Sequence, residues 1–578
     1  MNMIKKKFFK IELFATMLLS VLVISCSKDD DNNEIPESNE VQEEQEQVIM
    51  DNAAKVENDI MTIFENAKSA EKMGLHLDEM KAMKSVEDAW IDDGSISVKI
   101  KDGGIISWYF FPENEGQGNV VSGIRKASAN KTRATEFALC GKKNSCIVNT
   151  IPYDASRECN NELDYIADML GEKGYGITNA VEGEAVTVDF LCKKLPNYGV
   201  SVLFTHGDYK NGQHWIMTGT TYDATETEHF YEKQDYADHW PGLKYFFQDW
   251  KSNNAQLWVM TEKRNNRYVN VTYLAVSETY LKNKISKSFP DNSLMFAIAC
   301  CALKNNPSLW NVFKDKGLGC FFGYDDYVYP DTGIDGLYYL MDTMLEEFST
   351  ASEGYGIIKQ GKVDNRSGAH LKYYPDGSNV CLMSLCPDNN HPHAIDLGLP
   401  SGTKWACCNV GAFSPEGYGG YYAWGETSEK SSYTWDTYKY YDANAQNRYI
   451  DIGVNISGTQ YDAARVNWGA SWRMPTANDV QMLFDNCSCS YYEKCRWSEF
   501  HGIKGVYFTG PNGNKIFMPA AGQYWDVLKY VGNAARYWTG TIWGGNGAYY
   551  DATDCDIQVG HPSYSVRAVG YSIRPVSN

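Results

Sequence analysis

Apolar positions along the chain change period in blocks, and each block predicts a different element. Ile49, Ala53, Val56, Ile60, Ile63 and Phe64 recur at spacings of three and four, which predicts a helix within 48–77. Val98, Ile100, Ile105 and Ile106 then alternate into Trp108-Tyr109-Phe110-Phe111 around Asp102-Gly103-Gly104, which reads as a hairpin. A polar link follows from Gly116 to Arg133. Beyond 137, continuous apolar runs at 145–151, 200–205, 293–300 and 318–323 read as buried strands. Runs at 257–260 and 268–276 read as a second hairpin. Helical periods separate the strands at 155–173, 187–195, 277–285, 307–314 and 334–348; in the first, Leu163, Ile166, Met169 and Leu170 share a face. Fully apolar strands joined by crossover helices predict a mainly parallel sheet covered on both faces. After about 350 the helical period fades, and short aromatic strands with Gly and Asn turns take over, with one helix at 477–486.

The N-terminal 25 residues have a different character. Lys5, Lys6 and Lys7 precede an apolar run from Ile11 to Ile24, too short to span a bilayer comfortably. The run ends Val23-Ile24-Ser25-Cys26, which resembles a bacterial lipobox and implies lipidation of Cys26. Ser27-Lys28-Asp29-Asp30-Asp31 is similar to the surface-export signal of Bacteroidetes lipoproteins. The expected organisation is a signal peptide (1–25), a disordered acidic tether (26–48), a helix-hairpin module (49–136), an α/β domain (137–350), closing strands and linker (351–390), and a final domain (391–578). The expected location is the outer membrane, held by the lipid and exposed at the surface.

Composition narrows the chemistry. A net charge of −20 with no basic stripe argues against a nucleic-acid partner. The sixteen cysteines contain no Cys-x-x-Cys, and the ten histidines contain no His-Glu-x-x-His. Cys407-Cys408 and Cys487-Ser488-Cys489 are too tight for ordinary zinc knuckles, and His391-Pro392-His393 reads as loop composition. No catalytic metal and no cofactor is therefore expected.

Two strands carry reactive side chains at their C-terminal ends, where α/β sheets place chemistry. The run 200–205 delivers His206-Gly207, and 293–299 delivers Cys300. A thiolate attacks carbonyl carbon, and a neighbouring imidazole can take the thiol proton and return it to the leaving amine. Phe204-Thr205-His206-Gly207 and Phe296-Ala297-Ile298-Ala299-Cys300 resemble the paired motifs of caspases, legumain, gingipains and clostripain. Leu318 to Asp325 is similar to the next strand of clostripain-like members. The resemblance implies a caspase-like α/β sandwich, a His206–Cys300 dyad and a protein or peptide substrate. The N–H groups of Gly207 and Cys300 are the candidate oxyanion hole. Cys301 stays open as the alternative nucleophile. Asp325 and Asp326 are either acids of a specificity pocket or acids of a turn. His214-Trp215 reads as a packed strand element near the cleft, and Gly317-Leu318-Gly319 lacks the context of a phosphate loop. The chain departs from clostripain-like enzymes at Ile298, where they carry an acid, and at Asp208-Tyr209, where they carry more glycine.

The last block contains Asp396-Leu397-Gly398-Leu399-Pro400-Ser401-Gly402, Ala423-Trp424-Gly425-Glu426, Trp472-Arg473-Met474-Pro475-Thr476 and Tyr537-Trp538-Thr539-Gly540. It resembles the major paralogous domain first described in Fibrobacter, within the wider C-type-lectin-like fold. That implies an α+β domain binding glycan or protein, with most tryptophans in its core. The expected fold class is thus multidomain: a small N-terminal α+β module, a caspase-like sandwich and a C-type-lectin-like domain. Two functions follow: a lipid-anchored surface cysteine endopeptidase, or a non-enzymatic adhesin whose caspase-like domain is degenerate.

Overall fold

The computed structural model describes residues 37–578, except 93, 111–136, 152–156, 177–178, 223–242, 265–266, 347, 387–389, 446–447, 490–496, 544–545, 552–562 and 578. The chain builds several mixed sheets with helices, in a multidomain arrangement. It opens with α1 (Glu37–Ala67), α2 (Ala70–Gly74) and α3 (Leu77–Lys81). These lead to β1 (Val86–Asp92), β2 (Ser95–Ile100), β3 (Ile105–Tyr109), the short β4 (Ala138–Leu139) and β5 (Ser145–Asn149). Then come α4 (Arg157–Glu172), β6 (Asn179–Glu182), β7 (Val200–Phe204), β8 (Gly207–Lys210) and β9 (Gln213–Tyr222). The series continues with α5 (Leu243–Lys251), β10 (Ala255–Arg264), β11 (Arg267–Ser277), α6 (Glu278–Lys284) and β12 (Leu294–Ile298). It closes with α7 (Ser308–Lys314), β13 (Cys320–Tyr324), α8 (Pro330–Glu346), α9 (Ala351–Ile357), β14 (Leu371–Tyr374) and β15 (Val380–Cys381).

The central sheet has six strands in the order β14-β13-β12-β7-β5-β6. Its neighbours pair in parallel except β14, which runs antiparallel to β13. Every residue of β5, β7, β12 and β13 is buried, as continuous apolar strands between two helical layers require. Leu294, Phe296 and Ile298 join a core with α4 and α8, including Leu163, Ile166, Leu337 and Leu340. Met295, Ala297 and Ala299 join the opposite core with Leu281 of α6 and Leu309 and Phe313 of α7.

The N-terminal strands do not stand apart. A seven-stranded sheet runs β1-β2-β3-β10-β11-β9-β8, so the first hairpin and the strands after His206 share one ladder. The junction is parallel pairing of β3 with β10, Ile106 opposite Leu257 and Trp108 opposite Val259. Gly103 and Gly104 serve more than the turn. A Cβ at Gly104 would lie 2.4 Å from the ring of Trp250, which caps the hairpin from α5 and donates its Nε1–H to the Ile105 carbonyl at 3.1 Å.

Some local expectations shift. The tether expected over 26–48 is helical from Glu37, because a Glu- and Gln-rich run has good helix propensity and extends α1. Its first part, to residue 36, lies outside the described residues, as does the expected turn at 152–154. The helix expected at 187–195 is a short irregular coil of helix around Phe190–Asn197. The stretch after 350 begins with α9 rather than a strand, because Thr350 and Glu353 form a reciprocal capping box. Strands β1 and β6 carry little alternation and were not expected. Among the described residues no helix is long and apolar enough to cross a membrane.

In the last block β16 (Ala394–Ile395), β17 (Lys404–Ala406) and the C-terminal strand Val576–Ser577 make a three-stranded sheet that ties its two ends together. The helix at Ala477–Asn486 forms as expected, capped by Thr476, whose partner Asp479 also takes Arg473 at 2.6 Å. Trp405, Trp424 and Trp538 are fully buried; the last two donate to the carbonyls of Thr539 and Tyr422. These tryptophans are core, whereas Trp435 and Trp525 lie half-buried among Tyr441 and Tyr449.

The two large parts meet through polar and aromatic contacts. His501 Nδ1 lies 2.9 Å from the Glu353 carboxylate, and Phe348 stacks on Tyr507. Burial pulls the His501 imidazole down, but the hydrogen bond and charge of Glu353 leave it above its ordinary value. Burial raises the Glu353 carboxyl, and His501 outweighs that and holds it low. The raised imidazole contributes stability below the ordinary histidine value of about 6.5, lost as pH rises through its folded value. The lowered carboxyl contributes above about 4.3, lost as pH falls through its folded value. The pair is therefore strongest in the mildly acidic window between those values. Thermal unfolding should show wild type losing more stability than Glu353→Gln between pH 5.5 and 8; parallel losses would contradict this.

Candidate functional site

The pairing of β7 with β12 builds the site. Val200 lies opposite Leu294 and Phe204 opposite Ile298, in parallel and without a shift. The register runs one step further, because the Thr205 N–H donates to the Ile298 carbonyl at 3.1 Å. Residues 206 and 300 thus leave adjacent strands at the same level. Val200, Val202 and Phe204 face the same core as Leu294, Phe296 and Ile298, and Cys300 packs against that core too. Positions 206 and 300 each lie two residues beyond the last paired residue of their strand. Gly207 is held tightly against the end of β12: a Cβ there would lie 2.6 Å from the Cys300 carbonyl and 3.2 Å from Ala299 Cβ. Only glycine permits that approach.

The surroundings of the thiol are apolar and anionic. Cys300 is partly exposed as a residue, but its sulfur is enclosed and donates to the Val328 carbonyl at 3.6 Å. Burial, together with the carboxylates of Asp208, Asp326 and Asp364, pushes this thiol up to about 12. The resting sulfur is therefore protonated at neutral pH, and its conversion to thiolate must accompany transfer to a base. Cys301 is fully buried at a positive φ of 59°, with its sulfur 4.0 Å from Asp326, and burial raises its thiol further. The chain turns away after Cys300, so Cys301 points out of line with the strand end.

Asp208, next to the His-Gly pair, anchors a buried polar knot. It accepts from Tyr109 Oη at 2.9 Å and Tyr327 Oη at 3.3 Å, and pairs with Lys210 Nζ at 3.3 Å. Lys210 is itself buried and also reaches Ser95 and Asp92. Tyr109 comes from β3, so the N-terminal hairpin supplies a wall beside the candidate site. The sequence signal for this was Asp208-Tyr209 after the glycine, legible only as a departure from a motif.

The other candidates separate. Asp325 is committed to Lys372 at 2.8 Å and to the His370 N–H at 2.6 Å, so it locks β13 to the start of β14. Asp326 pairs with Lys304 at 2.9 Å and caps the Tyr327 N–H at 3.0 Å. Both act as turn acids in the structure, and Asp326 alone stays near the cysteines. His214 is buried, bonded to Glu278 at 2.6 Å and Ser308 at 3.0 Å, a packed strand element as expected. Cys26 lies outside the described residues.

A second constellation was not anticipated. His391 and His393, read from sequence as loop composition, converge with Cys386 and Cys407. The signal was Cys-x4-His-x-His followed by a cysteine fourteen residues on. It was hidden because Cys386 closes the linker, the histidines open the next block, and Cys407 comes only after β17.

A scan against models of known protein families gives no match, and no curated protein matches the chain.

The polar knot yields a direct expectation. Lys210→Met leaves Asp208 buried without its cation, and should cost about 3–5 kcal/mol in urea unfolding, as broken buried pairs do. A cost indistinguishable from zero would show that the knot is open to solvent.

Proposed function

We propose that this chain is a cysteine endopeptidase of the caspase-like class, with His206 as base and Cys300 as nucleophile. The observation that supports the reading is the in-register pairing of β7 and β12, whose ends lead into positions 206 and 300 at the same level. In the proposed reaction the Cys300 sulfur bonds to the scissile carbonyl carbon while His206 takes its proton. The carbonyl π electrons move to oxygen, stabilised by the N–H groups of Gly207 and Cys300. The C–N bond then breaks, and His206 returns the proton to the amine. Water hydrolyses the thioester with His206 again as base.

The loop 325–329 covers the resting thiol through the Val328 carbonyl, with Tyr327 tied to Asp208 and the Tyr329 N–H tied to Asp364. Substrate must displace that contact to reach sulfur. Asp326 lies beside the cysteines but is paired with Lys304, so a basic substrate side chain would have to compete with that lysine for it. The N-terminal segment would hold the enzyme at the outer membrane through Cys26, and the final domain would bind glycan or protein at the surface.

A second reading is an adhesin whose central site is inert. It is favoured by one observation: the carboxylates around Cys300 oppose the thiolate, while Lys210 and Lys304 are paired with Asp208 and Asp326.

Hydrolysis of a quenched-fluorescent peptide library separates the two. Cys300→Ala should abolish turnover, His206→Ala should lower it about 100- to 10,000-fold, and Cys301→Ala should retain it. Equal rates in wild type and Cys300→Ala would overturn the peptidase reading.

A further inference from the structure

Cys386, His391, His393 and Cys407 present one ligand atom each, all within 4.8 Å of one another. Cys386 lies just beyond β15, the histidines follow in the linker, and Cys407 directly follows β17. Both cysteines are buried and free, and the histidines are partly buried. Cys407 Sγ lies 3.2 Å from His391 Nδ1 and 3.8 Å from His393 Nδ1. A tetrahedral zinc, bonded at about 2.3 Å to sulfur and 2.0–2.1 Å to nitrogen, places such ligands about 3.6 Å apart. The two separations straddle that value, and the widest pair needs about 1 Å of contraction.

The backbone is organised around the same sulfur. The His393 N–H donates to Cys407 Sγ at 3.0 Å, and the Cys407 N–H donates to the His393 carbonyl at 2.9 Å. That N–H···S bond favours a thiolate, and it fixes His393 relative to β17. Nearby Arg574 is fully buried and donates to neutral acceptors, Asn409 Oδ1 at 2.8 Å and the carbonyls of Ala406 and Phe517. Anionic sulfur suits its charge.

We propose that these four side chains form a structural zinc site of Cys2His2 type, joining the linker to the C-terminal domain. Binding one zinc ion releases the two thiol protons and leaves a neutral centre. Four protein ligands leave no open position, so the ion has no part in hydrolysis. Its place explains its purpose. Cys386, Cys407, Phe348, Phe500 and Tyr507 share one small core at the seam between the central and C-terminal domains. A metal here adds a rigid tie to the linker, the His501–Glu353 pair and the aromatic contacts at the seam.

The test uses the full chain, purified without chelating resin, with metal content read by elemental mass spectrometry. About one zinc per chain is expected. Loss of at least tenfold is expected in Cys386→Ser and in Cys407→Ser, with full occupancy kept in Cys408→Ser. Cobalt exchanged into wild type should give intense tetrahedral visible bands with thiolate-to-metal charge transfer, a readout that needs no variant to fold. Wild type that takes up neither zinc nor cobalt while its thiols remain free would overturn the proposal. So would a Cys386–Cys407 disulfide found by non-reducing peptide mapping of the freshly purified chain.

Discussion

The constraint on which the rest depends is the parallel register of two buried strands. With Phe204 opposite Ile298, the ends of β7 and β12 stop at one level, and positions 206 and 300 follow them two residues on. A slip of one residue would send one of the two side chains to the opposite face, because strand side chains alternate. The slip is blocked from both sides: each strand puts alternate residues into two different cores, and both cores are filled. Packing of apolar side chains remote from the cysteine therefore fixes where the cysteine is. The glycine after His206 completes the constraint, since any side chain there would collide with the Cys300 carbonyl.

Around that frame the electrostatics oppose a thiolate at Cys300. Asp208 is neutralised within its own knot by Lys210, while Asp326 pairs with Lys304, so neither cation is offered to sulfur. The resting thiol is consequently held neutral and covered by the Val328 loop. Under the proposed reading, such a site would stay quiet until substrate displaced the Val328 contact. The N-terminal hairpin contributes to this state, because Tyr109 from β3 holds Asp208. Its strands form one sheet with β8 to β11, so the hairpin cannot leave without breaking β3–β10 pairing.

The central strands were legible because their apolar runs are long and end in distinctive pairs, His206-Gly207 and Ala299-Cys300. The helices were legible from single-faced periods such as Leu163, Ile166 and Leu170. What was not legible depends on contacts between distant segments. Joining of β3 to β10 unites segments about 150 residues apart, and nothing local in Ile105 or Leu257 announces a partner. In sequence Asp325 and Asp326 could be pocket acids or turn acids, and only the fold brings Lys372 and Lys304 to them. The Cys386–His391–His393–Cys407 cluster escaped for the same reason: its fourth ligand is brought by strand pairing, outside the short spacings that mark metal knuckles. At the seam, His501 and Glu353 lie too far apart in sequence for either to suggest the other.

The most direct measurement is covalent trapping of the nucleophile. Wild type and His206→Ala are incubated with a set of peptidyl electrophiles, and the adducts are located by mass spectrometry of the digested chain. The account predicts one adduct, on Cys300, that disappears in His206→Ala while the variant keeps its fold. An adduct on Cys301, or labelling of Cys300 that is indifferent to His206, would contradict it.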